Sequence, residues 1–106
     1  MKKYVFGYTV AKSTPRRTYG GTNYTLNVYD LTGGNVERLG EVSACTAAHK
    51  GESSEAWSVV LAKRPGILRT LRKRAKGNAY LQSMVDRDGG YHCWQFRDLG
   101  VELHQL

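Results

Sequence analysis

The chain has 106 residues, a formal net charge of +7, 41% hydrophobic and 10% aromatic content. That length excludes two well-cored domains, and the apolar content excludes a disordered basic tail. Two cysteines, Cys45 and Cys93, are too few for the disulfide framework of a small secreted domain, which points to a reducing compartment.

At the N-terminus two lysines precede an apolar run, as in a signal peptide. The run alternates, however, and contains Gly7 and hydroxyl residues. Tyr4, Phe6, Tyr8 and Val10 share one parity, which predicts a half-buried strand over Tyr4–Val10. Lys12–Gly21 is rich in turn formers and reads as a loop carrying Lys12, Arg16 and Arg17 without an acid. A second strand is expected over Asn23–Asp30, with Tyr24, Leu26 and Val28 on one face. No apolar stretch reaches the roughly 18 residues needed to cross a bilayer, so the expected protein is soluble and cytoplasmic.

Thr32-Gly33-Gly34-Asn35 predicts a hairpin turn, since glycine supplies the positive φ that tight turns require. Pairing through it sets Leu31 opposite Val36 and Val28 opposite Leu39. Leu39 and Val42 then have opposite parity. A bulge at Gly40 repairs the register, placing Val42 against Leu26 and Ala44 against Tyr24 in a strand Val36–Thr46. On that register Cys45 points away from the core.

Ala47–Ser54 reads as a loop, with Ser53 or Ser54 able to cap a helix and Glu52 and Glu55 suited to its positive end. Ala56, Trp57, Val60 and Leu61 recur at helical spacing and predict a helix over 54–63; a strand Ala56–Ala62 is the competing reading. Pro65 stops it. A second helix follows over 66–76, where Ile67, Leu68, Leu71 and Ala75 fall in a stripe about 100° wide and Gly77 marks the stop.

Around Asp88-Gly89, a type I′ signal, Tyr80–Val85 and Tyr91–Asp98 predict a second hairpin. It pairs Val85 with His92, Ser83 with Trp94 and Leu81 with Phe96. Gly100–Leu106 reads as a tail that forms an edge strand through Val101 and Leu103. The expected fold is therefore single-domain α+β: an antiparallel sheet of about five strands built from hairpins, with one or two helices packed on one face.

Lys63–Lys76 holds seven basic residues: Lys63, Arg64, Arg69, Arg72, Lys73, Arg74 and Lys76. No acid occurs from Ala56 to Val85. Elsewhere nine basic residues balance nine acidic ones, so the whole net charge sits in this stretch. On the predicted helix Arg69, Arg72, Lys73 and Lys76 occupy the side opposite the apolar stripe, Lys63 and Arg64 precede its start, and Arg74 borders the stripe. Charge runs are commonly solvated faces. Here, though, Arg69–Lys73 and Arg72–Lys76 are like-charged i,i+4 pairs, each destabilising by a few tenths of a kcal/mol, and no glutamate offsets them. Phosphates would neutralise them with counterion release. The Lys12, Arg16 and Arg17 loop, beside Tyr19 and Tyr24, suits phosphate contact with base stacking.

Other chemistries are weaker. Cys45, His49, His92 and Cys93 supply four zinc-type donors, but His92 and Cys93 are adjacent on an expected strand and the chain lacks paired ligand spacing. His49 and Cys45 could serve a small enzyme, without any sign of an oxyanion hole. The glycine pairs read as turns. A basic amphipathic helix can lie on a membrane, but this one is short and lacks Trp or Phe. No cofactor or metal is expected.

Tyr24–Ala62, with two strands around a glycine turn, then RLGEVSA, then SSEAW opening a helix, resembles the AP2/integrase-type DNA-binding domain. That resemblance implies a three-stranded sheet preceding a helix and a DNA partner. It covers about a third of the chain, makes Ala47–Glu52 an insertion, and leaves the family's base-reading positions unmatched. The expected function is non-enzymatic binding of DNA or RNA through Arg69, Arg72, Lys73 and Lys76, with Arg16 and Arg17 as an auxiliary arm. The alternative is an adaptor or inhibitor of phage or mobile-element type, docking on an acidic or nucleic-acid-associated host protein.

Overall fold

The computed structural model describes residues 2–15, 22–45, 54–88 and 93–106. Strands β1 (Tyr4–Pro15), β2 (Thr22–Asp30) and β3 (Glu37–Cys45) are followed by helices α1 (Ser54–Lys63), α2 (Gly66–Ala75) and α3 (Ala79–Asp88). A 3-10 segment, Cys93–Leu99, and a strand β4 (Val101–Gln105) complete the chain. The sheet has the order β3-β2-β1-β4.

The period-two alternation of β1 buries Phe6 and Tyr8, and that of β2 buries Leu26 and Val28. Their antiparallel pairing sets Tyr8 opposite Val28 and Val10 opposite Leu26, then skips Ala11 so that Lys12 meets Thr25. β1 thus continues as an exposed strand to Pro15, where a loop was expected. The ladder with β2 satisfies that backbone whatever its side chains prefer. Arg16 and Arg17 lie outside the described residues.

The β2–β3 turn is a 3-10 turn, Thr32–Gly34, with φ of 78° at Gly33 and 85° at Gly34. Only glycine takes such values cheaply. The Thr32 N–H donates to Asp30 Oδ1 at 2.9 Å, and the Val5 N–H donates to Thr32 Oγ1 at 3.0 Å, fastening the turn to β1. The expected partners Val42–Leu26 and Ala44–Tyr24 are present. The bulge falls one residue early: Val28 pairs with Gly40, and Leu39 is the extra residue. Leu39 is thereby buried together with Ala44. The expected orientation of the Cys45 side chain lies outside the described side chains.

Helix rather than strand holds for 54–63, where Ala56, Trp57 and Val60 face inward. The hairpin expected over Tyr80–Asp98 does not form; its place is taken by α3 and the 3-10 segment. Leu81, Met84 and Val85 stand at i, i+3 and i+4, and as a helix they place all three against the interior. Asn78 caps that helix, its Oδ1 accepting the Leu81 N–H at 3.1 Å. The tail does form an edge strand through buried Val101 and Leu103. It pairs parallel with β1, Tyr4 opposite Val101 and Phe6 opposite Leu103, because the chain crosses the sheet through the helices before returning.

Among the described residues the sheet is therefore four-stranded and mixed, not five-stranded and antiparallel, and there are three helices, not one or two. One core joins Phe6, Tyr8, Leu26 and Val28 of the sheet to Trp57 and Val60 of α1, Ile67 and Leu71 of α2, and Val85 of α3. Phe96 seals it against Trp57, the ring centroids 5.9 Å apart. Among the described residues no helix is long and apolar enough to cross a membrane.

Candidate nucleic-acid interface

The core fixes the rotation of α2. Ile67, Leu71 and Ala75 are buried and Leu68 is half-buried, so the side chains at i, i+3, i+4 and i+7 on the other side must face water. Those are Arg69, Arg72, Lys73 and Lys76, all exposed. Among the described residues no carboxylate pairs with Arg69, Lys73 or Lys76. Arg72 pairs with Asp86 of α3, its Nε 3.6 Å from Asp86 Oδ1.

The other cations expected at this site divide differently. Lys63 is exposed at the end of α1. Arg64 turns back to the sheet, its Nε donating to Asp30 Oδ2 at 3.2 Å and its Nη2 to Glu37 Oε2 at 2.6 Å. Arg74 donates from Nη1 to the Leu99 carbonyl at 2.9 Å, and its guanidinium lies over the Tyr4 ring at 5.4 Å. It fastens α2 to the strand end where the chain re-enters the sheet.

Tyr4, Pro65, Ile67 and Thr70 line one open cleft of about 330 Å³, which places the start of α2 at the Tyr4 end of β1. Lys12 lies on the same strand roughly 25 Å further along, at ~3.3 Å per residue. Lys12 therefore does not converge with the start of α2, and Arg16 and Arg17, the expected arm, lie outside the described residues.

A short connection joins α2 to α3. Gly77 has φ of +92°, the left-handed value that ends a helix, and the Asn78 N–H donates to the Ala75 carbonyl at 2.9 Å. Asn78 then opens α3, its carbonyl accepting from the Gln82 N–H at 2.9 Å. The two helices pack together. Leu81, Met84 and Val85 face inward, while Tyr80, Gln82, Ser83 and Asp86 are exposed. Tyr80 is 66% exposed. The expectation of a hairpin hid this third helix and the acid it brings to Arg72; the signal was Asn78 ahead of the i, i+3, i+4 apolar set.

The alternative zinc and catalytic sets fall on His49, His92 and the side chains of Cys45 and Cys93, outside what is described. Among the described residues no cluster of three or more His, Cys, Asp or Glu is gathered. No family model, no curated protein and no solved structure matches this chain.

Proposed function

We propose that this chain is a non-enzymatic nucleic-acid-binding domain whose phosphate contacts are made by Arg69, Arg72 and Lys73 of α2 and by Lys76 just past its end. The observation that carries the reading is the orientation of α2: burial of Ile67, Leu71 and Ala75 holds Arg69, Arg72 and Lys73 on one exposed side of a rigid element, with Lys76 exposed at its C-terminal end. Arg69 to Lys76 spans roughly 10 Å along the helix axis, about the rise of three phosphates on one duplex strand. Arg64 and Arg74 are left out because each is bound within the fold. A membrane surface fits poorly, since the apolar stripe that would enter lipid is already buried against the core.

The test is a salt titration of binding to duplex DNA, single-stranded DNA and RNA, for the chain and for its Arg69→Ala/Arg72→Ala/Lys73→Ala variant. Three lost phosphate contacts lower the slope of log K against log salt by up to about 2.7 for duplex DNA. An unchanged slope removes α2 from the interface. Absence of any nucleic-acid binding at low salt, with a stable protein partner recovered instead, favours docking on an acidic protein surface.

A further inference from the structure

We infer that α2 and α3 form one unit that reads duplex DNA through the major groove, α2 holding the phosphates and the N-terminal half of α3 presenting Tyr80, Gln82 and Ser83 to base edges. The inference rests on the nucleic-acid reading above and specifies the form of the ligand.

An exposed helix face in a small domain ordinarily carries charges. The first turn and a half of α3 exposes none: its outward side chains are Tyr80, Gln82 and Ser83, and no acid lies in its first turn. These are uncharged groups that donate or accept hydrogen bonds, the chemistry that distinguishes bases by their edges. A glutamine amide pairs bidentately with adenine N6 and N7, and a serine hydroxyl suits either a donor or an acceptor.

The cations stand where such a helix needs them. The three-residue connection Lys76–Asn78 sets Lys76 directly before the start of α3, and Arg72 reaches Asp86 toward its other end. Lys76 and Arg72 therefore stand beside α3, and no cation is among its described side chains, Ala79–Asp86. In two-helix DNA-reading units the first helix crosses the backbone while the N-terminal residues of the second contact bases. A helix with its side chains is about 10–12 Å across, matching the B-form major groove of about 12 Å; the deep, narrow major groove of duplex RNA does not admit it.

The experiment is selection from a randomised duplex DNA library at low salt, run with the full chain and its Gln82→Ala, Ser83→Ala and Tyr80→Ala variants, alongside binding to random single-stranded DNA and RNA. The expected result is a short enriched motif in which Gln82→Ala relaxes preference at one base pair by about tenfold or more. Affinity for non-selected duplex and its salt slope stay as they were. A motif unaltered in all three variants, uniform binding with no motif, or retention of single strands without duplex each overturns the inference while leaving the nucleic-acid reading intact. No retention of any nucleic acid overturns the reading on which it rests. The three side chains are exposed, so the variants fold, and thermal unfolding verifies it.

Discussion

Arg72 Nε and Asp86 Oδ1 lie 3.6 Å apart across the α2–α3 packing, in side chains 55% and 69% exposed. This is the one carboxylate that the described fold brings to the basic face. A pair so exposed contributes little stability, so its main effect is to hold one cation of the array in partial neutrality. Asp86→Asn should leave the unfolding midpoint nearly unchanged. Duplex DNA affinity should rise several-fold, and the salt slope should steepen by up to about one phosphate contact. Equal affinities for the two proteins would show that Arg72 does not face the ligand.

Arg64 behaves as the reverse case. It bridges Asp30, whose side chain is only 16% exposed, and Glu37, and so ties the α1–α2 junction to the β2–β3 turn. Arg64→Ala should cost about 1–2 kcal/mol in a urea titration, with nucleic-acid affinity preserved when binding is measured well below the midpoint. A drop in affinity at full stability would move Arg64 into the interface.

Asn78 caps α3 through its side-chain oxygen. Asn78→Ala should lower stability by about 1 kcal/mol, with the denaturant m-value unchanged, whereas Asn78→Asp retains the acceptor and should be close to neutral. Equal loss in both variants would assign the effect to something other than the cap.

Gly7 sits under the last side chain of the sequence. A Cβ there would stand 2.7 Å from Leu106 Cγ, and the Leu106 N–H donates to the Tyr8 carbonyl at 2.9 Å. Gly7→Ala should therefore destabilise by about 1 kcal/mol through overpacking. In a Leu106→Ala background the same change should be neutral or stabilising, because glycine within a strand is itself unfavourable. The coupling is read from a double-mutant cycle; additive costs would mean that Leu106 simply rotates away.

Several elements were readable from local pattern because burial imposes the pattern directly. Phe6 and Tyr8 alternate because one sheet face is the core, and the clash of parity between Leu39 and Val42 demanded a bulge, which lies one residue from the expected position. The stripe Ile67, Leu71 and Ala75 marked α2 and with it the four outward cations.

The segment after Gly77 was not readable in the same way. Leu81 and Val85 are four residues apart, a spacing that satisfies both a strand and a helix. Met84 decides between them, and it does so only once a helix packs alongside. Asp88-Gly89 is a strong turn signal on local grounds, but long-range packing determined what preceded it. Pairings such as Arg64 with Asp30 join residues far apart in the chain, and no local spacing predicts them. The direction of β4 is likewise a property of the path through the helices rather than of Val101 or Leu103.

That parallel closure joins strands far apart in the sequence, and such pairing bears on the time course of folding. β1 finds one partner, β2, within a few residues, but its other edge waits for Val101–Gln105, the last strand in chain order. The backbone donors and acceptors along that edge gain their β4 partners only after α1, α2 and α3 have been passed in chain order. Such sequence-distant pairing slows folding relative to helical domains of this size, and an open edge is the feature through which partly made chains associate with one another.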